Sequence, residues 1–134
     1  MPYQAEWHIP NRLVYARGWG RMTVQDMELH TAMCMKFLSE AEQNAPGGHV
    51  TMIFDALEVE SIPPLYLMLP SALPVLRMQN RTESMIFVSM NKGMRTILQL
   101  TGHVMNFKVR FATSSQEALE IAESILQQEN RAEK

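Results

Sequence analysis

"HVTMIFDA", His49 to Ala56, is a short apolar run in which Val50, Ile53 and Phe54 fall without strict alternation. A strand with one face in water alternates apolar and polar residues, whereas a strand covered on both faces has no reason to. The run therefore reads as a central strand with helices on either side. "SMIFVSM", Ser84 to Met90, repeats the signature.

Working outward toward the N-terminus, "AEWHI" and "RLVYARGW" are extended runs separated by Pro10 and Asn11. Proline presets φ and asparagine tolerates unusual backbone angles, so the two runs read as an antiparallel pair. Thr23 followed by Asp26 resembles a helix N-terminal cap, and Met27, Cys34, Phe37, Leu38 and Ala41 recur at helical intervals from Val24 to about Asn44. Pro46, Gly47 and Gly48 end that helix. Toward the C-terminus, Asn91 is placed to cap a helix whose apolar face is Met94, Ile97, Leu98 and Thr101, with Gly102 at its exit. "VMNFKVRF" alternates, with Phe107, Val109 and Phe111 on one side, as in a strand half open to water. Ser114 and Glu117 form a capping box, with Thr113 and Gln116 as a box one residue earlier. Ala118, Leu119, Ala122, Ile125 and Leu126 then make one stripe. This order predicts a single α/β domain over residues 1–134: a mostly parallel sheet of about five strands, an N-terminal antiparallel pair and about four helices.

The chain leaves the central strand through "FDALEVESIPPL", Phe54 to Leu65. Asp55 is read as the end of the strand, where ligands of open parallel sheets bind, and its expected role is to hydrogen-bond an acidic turn. Ser61 is read as the N-cap of a new helix whose first turn accommodates Pro63 and Pro64. In "PPLYLMLPSALPVLRM", Leu65, Met68, Leu69, Ala72, Leu73 and Leu76 follow helical spacing, yet Leu67, Val75 and Met78 populate a second face and Tyr66 a third. Such a helix must be covered on more than one side. Pro70 and Pro74, each costing ~3 kcal/mol in a regular helix interior, should bend or break it. Leu65, Tyr66, Leu67, Met68, Leu69, Val75 and Met78 are therefore the expected surface for a second copy of the chain, a protein partner or a lipid-like ligand.

At this point the sequence resembles the STAS domain family, in particular its uncharacterised bacterial SpoIIAA-like branch. The resemblance spans nearly the whole chain and rests on element order plus two local matches. One is "VTMIFD" running into "ALEVESIPPL", where such domains carry an acidic or polar turn and then D-S-S-G-L. The other is "FKVRFATSSQEALEIAESI", like the family's last strand and helix. The resemblance implies a non-catalytic bacterial protein that works by binding. The leading expectation is an interaction or regulatory module that forms a homo-oligomer, a dimer, with the apolar segment Leu65 to Met78 as its interface. The branch also resembles the lipid-binding Sec14 fold, which gives the alternative of a carrier or sensor of a small apolar ligand. Phosphorylation-switched members have a serine at the helix entrance. Here Pro63 and Pro64 fall where the aspartate and serine would be, proline cannot accept phosphate, and Ser61 is the nearest hydroxyl.

Other chemistry finds little support. Asp55 and Ser89 invite comparison with a response-regulator receiver, but no acidic pair follows the first strand and Lys108 sits inside an alternating one. "GWGRMT" holds a Gly-x-Gly before a helix but no third glycine, and a strand-to-helix bend explains it as well. Asn91 and Lys92 open a helix where an anion would be welcome, though a capped turn suffices. His8, His30, His49 and His103 lie on separate elements, so no metal site is expected, and Cys34, the single cysteine, reads as a buried thiol. No cofactor is expected. A net charge of -2 gives no general attraction to nucleic acid, and no apolar run is long enough to span a membrane. With no signal-peptide pattern at "MPYQAEWHIPNR", a cytoplasmic protein is expected. The 12 methionines read as core filling, with an adaptable apolar surface as the other reading.

Overall fold

A computed structural model describes residues 3–46, 48–63, 82–93, 95–96, 99–100 and 108–132. The expected antiparallel pair is β1 (Tyr3–Ile9) and β2 (Leu13–Arg21), joined at a tight turn in which Asn11 takes a φ of 65° and Arg12 N–H donates to the Ile9 carbonyl. Asparagine is among the few residues that adopt this left-handed backbone readily. β3 (Val50–Ser61), β4 (Thr82–Val88) and β5 (Val109–Ala112) follow in parallel. The sheet has the spatial order β1-β2-β3-β4-β5.

α1 (Val24–Asn44) starts as its sequence predicts. Thr23 Oγ1 accepts from Asp26 N–H at 3.2 Å and Asp26 Oδ2 accepts from Thr23 N–H at 2.8 Å. Its buried stripe of Cys34, Phe37, Leu38 and Ala41 packs on Val14, Val50 and Met52, with Ala5 and Trp7 at the margin. α2 (Ser115–Ala132) covers the opposite face, where Ala118, Ala122 and Ile125 meet Leu13, Ile53, Ile86, Val88 and Ala112. Ser114 Oγ accepts from Glu117 N–H at 3.1 Å, but the Glu117 carboxylate reaches back to the N–H and hydroxyl of Thr113. The cap thus draws on both of the residues its sequence offered.

Every residue from Val50 to Ala56 is buried, as a strand between two helical layers requires. Even-numbered residues pack toward α1 and Ile53 toward α2. Two expectations change, and others fall outside the described residues. Among the described residues there are two continuous helices rather than about four. Residues 65–78, the expected kinked helix, lie outside the described residues, and the turn from Asn91 is described only in part, with Arg95 N–H bonded to the Asn91 carbonyl. The last strand is described from Val109, so Phe107 is also outside.

The second change concerns β3 itself. It does not end at Asp55 but continues to Ser61, alongside β2 and beyond the last β4 pair, Asp55–Val88. Two bulges allow this. Between the pairs Arg17–Asp55 and Trp19–Glu58, the single residue Gly18 faces both Ala56 and Leu57. Between Gly20–Val59 and Arg21–Ser61, Glu60 has no opposite. Each extra residue breaks the alternation by which a strand is recognised. The acidic "turn" is therefore a bulged two-stranded extension. Its inner side, Ala56 and Val59, is buried with Met22, Phe54 and Tyr3. Gly18 is confined there, because a Cβ would come within 2.6 Å of Met22 Sδ and 3.2 Å of Phe54 Cζ; Gly20 instead supplies a φ of 69°.

Candidate functional site at the C-terminal ends of the strands

Asp55 sits where the doubly flanked part of β3 gives way to the extension. One carboxylate oxygen accepts the Tyr15 hydroxyl proton at 2.6 Å and the other accepts Leu57 N–H at 3.1 Å. The second bond spans the first bulge, so Asp55 does hold its own chain, two residues on, but at a bulge rather than a turn. A buried carboxylate with both oxygens occupied is a structural anchor. Burial first, and then the Asp55 hydrogen bond and charge, push the Tyr15 hydroxyl up to about 12, against an opposing contact from Ser115 at the head of α2. Tyr15 therefore donates and does not ionise near neutrality.

Ser89 is also buried, at the neighbouring strand end. Its N–H donates to the Ala112 carbonyl and its hydroxyl oxygen accepts from Asn91 N–H at 3.1 Å, closing the turn after β4. Asn91 and Lys92 are exposed beyond it, where the Lys92 carbonyl accepts from the Thr96 hydroxyl. Ser61 is the exposed last residue of β3, and its carbonyl accepts from Met22 N–H. It stands in a strand register with Arg21. Of the residues singled out from sequence, Asp55 and Ser89 are thus brought to adjacent strand ends, while Ser61 lies at the far end of the extension. Leu65, Tyr66, Leu67, Met68, Leu69, Val75 and Met78 lie outside the described residues.

A Cys-His pair is the other arrangement that could signal chemistry. Cys34 Sγ lies 3.7 Å from His30 Nε2, and His30 Nδ1 is 2.6 Å from the Tyr3 hydroxyl. The imidazole is wedged edge-on between Tyr3 and Phe54, with ring centroids at 5.2 and 4.8 Å. Burial drives both groups to their neutral forms: the thiol is pushed up to about 12 and the imidazole down to about 4. A nucleophilic pair needs a thiolate beside an imidazolium. This one is a packed contact, in keeping with an inert Cys34. Among the described residues, no three His, Cys, Asp or Glu side chains converge as metal ligands.

Two large apolar side chains are exposed at this end among polar ones. Leu57 and Met90 each stand two residues past the Asp55–Val88 pair on adjacent strands, and they are 42% and 75% accessible. Met52 and Met22 are buried and Met27 packs against the core, so Met90 departs from their core-filling role. Beside Leu57, one side of β2 carries Tyr15, packed against the α2-side core, and then the half-buried Arg17 and Trp19. Arg17 lies over the Trp19 ring at 5.3 Å and pairs with Glu58 at 2.5 Å. Neither Tyr15 nor Arg17 stands out from sequence as a site residue. The available signal was the period of two in Tyr15, Arg17 and Trp19, interrupted by glycines on the opposite side. Shallow hollows among the described residues include one of about 220 Å³ beside Gln4, Glu6, Tyr15 and Arg17 and one of about 270 Å³ between Arg110 and α2. Both have charged rims, and neither is the Met- and Leu-lined groove that an acyl chain requires. No helix among the described residues is long and apolar enough to cross a membrane.

Compared with known proteins, the sequence matches no family model and no curated protein. The fold matches solved structures well. An uncharacterized protein of the DUF3478 family with a SpoIIAA-like fold, from Shewanella loihica PV-4, superposes with a TM-score of 0.63 at 12% identity. The match covers 90% of this chain and 91% of that one. The anti-sigma factor antagonist SpoIIAA in its unphosphorylated form gives 0.58 at 16% identity, over 87% and 93% of the two chains. The Bacillus cell fate determinant SpoIIAA in the phosphorylated form gives 0.57 at 17%, over 88% and 96%. The chain therefore has the SpoIIAA-like fold, an α/β architecture with a five-stranded mixed sheet.

Proposed function

We propose that this protein is a non-catalytic interaction module that works through protein–protein contacts at the C-terminal ends of its parallel strands, with a second copy of the chain as a partner. The observation that carries the reading is the pair of exposed apolar side chains Leu57 and Met90, each two residues past the last β3–β4 pair; Leu100 is the other large apolar side chain exposed among the described residues. A contiguous exposed apolar patch marks an interaction site. The chain leaves β3 at Ser61, four residues beyond Leu57, and its sequence continues through Ile62 and Pro63 into Leu65, Tyr66, Leu67, Met68 and Leu69. That apolar segment is proposed to continue the surface. Tyr15, Asp55, His30 and Cys34, the groups best suited to chemistry, are each held in neutral or fully bonded states, which favours binding over turnover. Similar solved structures include an anti-sigma factor antagonist, a protein named for its action on another protein.

Light scattering over a concentration series tests the reading. The expected result is a mass rising toward that of a dimer, and a Leu57→Asp, Met90→Asp double variant that stays at the mass of one chain while keeping its circular dichroism. A wild-type protein that remains monomeric at high micromolar concentration overturns homo-oligomerisation.

A further inference from the structure

Along the solvent side of the β2–β3 extension the two strands carry opposite charges. β2 contributes Arg17 and Arg21; β3 contributes Glu58 and Glu60. Arg17 Nη2 lies 2.5 Å from Glu58 Oε2 and Arg21 Nε lies 3.8 Å from Glu60 Oε2, with side chains 42% and 61% exposed in the first pair and 86% and 69% in the second. Trp19 stands between the two arginines along β2, opposite Glu58, with the Arg17 guanidinium over its ring. Exposed pairs of this kind contribute little to folding. As a docking surface they are informative, because the cationic row, the anionic row and the central aromatic ring set strict conditions on what can lie against them.

Two arginines and two glutamates sum to zero, so neither a polyanion nor a polycation is favoured. The surface does complement its own copy. If a second extension is laid face to face and related by a two-fold axis parallel to the strands, its cationic row falls over the anionic row of the first, and the reverse holds by symmetry. A two-fold axis running across the strands would stack like charge on like charge. Each Trp19 then covers the partner's Glu58 level, supplying the buried aromatic anchor that such interfaces use. We infer that the exposed side of the β2–β3 extension is a self-complementary docking surface, in which the Arg17 and Arg21 row of one copy pairs with the Glu58 and Glu60 row of another. This rests on the homo-oligomeric reading above and specifies its chemistry.

The test is a charge-reversal exchange followed by sedimentation velocity. One variant, Arg17→Glu with Arg21→Glu, makes both rows acidic; the other, Glu58→Arg with Glu60→Arg, makes both basic. Each alone is expected to self-associate about tenfold or more weakly than wild type, and an equimolar mixture is expected to recover association to within about threefold. Wild-type association should also weaken as salt rises. Should either double variant unfold, the single reversals Arg21→Glu and Glu60→Arg, at the more exposed pair, give the same exchange with less disturbance. If the reversed variants associate as wild type does, or if the mixture fails to recover, this docking surface is wrong while homo-oligomerisation stands. If wild type itself does not associate, the reading beneath it fails as well.

Discussion

β3 has two halves under different constraints. From Val50 to Asp55 it runs between β2 and β4, with α1 on one face and α2 on the other, and every side chain is buried. From Ala56 to Ser61 it has β2 alone as a described strand neighbour. There it takes two bulges and alternates buried Ala56 and Val59 with exposed Leu57, Glu58 and Glu60. The first half is determined by packing density and leaves no side chain available to a partner. The second is held by one ladder, one buried side and the Asp55 bridge, and its outer side is exposed. Dense packing and exposure are thus separated along a single strand.

Substitutions should feel that difference. The largest effect is expected at Ile53, fully buried in the first half: Ile53→Ala should lower unfolding free energy by about 3 kcal/mol in a urea titration, whereas Leu57→Ala in the second half should cost less than about 1 kcal/mol. Equal costs at the two positions would erase the distinction. Acid should act next, through the packed half. His30, lying against Phe54, has a folded pKa of about 4 against an ordinary 6.5. The unfolded chain therefore takes up the proton first, so the stability His30 provides is complete above about pH 6.5 and is lost as pH falls through about 4. The expected loss is on the order of 3 kcal/mol. Its neighbours Tyr3 and Cys34 are neutral throughout this range, and the solvated Arg-Glu pairs of the extension add little. A His30→Gln variant whose stability falls just as steeply over this window would remove the assignment.

Smaller effects probe the join. Gly18→Ala forces a Cβ toward Met22 and Phe54 and is expected to cost about 1–2 kcal/mol, part of it recovered by Met22→Ala. Gly20→Ala meets no neighbour, and its cost of about 1 kcal/mol comes from the positive φ alone, so no second substitution should rescue it. Tyr15→Phe removes one of the two bonds to Asp55 and should cost about 1 kcal/mol by chemical denaturation, with increased amide exchange at Leu57 if the Asp55 bridge secures the bulge. Thr51, in the packed half, has a buried hydroxyl without a partner among the described residues. Thr51→Val should be neutral or stabilising by up to about 1 kcal/mol.

The candidate site was legible in the sequence only in fragments. Asp55 was visible because a carboxylate following "VTMIF" interrupts an apolar run, and Cys34 because a thiol amid methionines on a helix points inward. Tyr15 was not, since its partner lies forty residues away and only the parallel pairing of β2 with β3 makes them neighbours. Leu57 and Glu58 were misplaced in a turn because the bulge shifts the phase of the pattern, and acidic residues in strands are uncommon enough to suggest a loop.

The order of the five strands and of the two described helices, the antiparallel opening, the caps at Thr23 and Ser114 and the burial of the β3 core follow from the sequence itself. Each is written in residues within a few positions of one another, where propensity, capping and periodicity act. The continuation of β3 past Asp55, the neutral His30–Cys34 contact and the alignment of two arginines beside two glutamates were decided by tertiary structure. They depend on which strands lie side by side and in what register, and that is set by packing of the whole sheet against its helices rather than by any local run of residues.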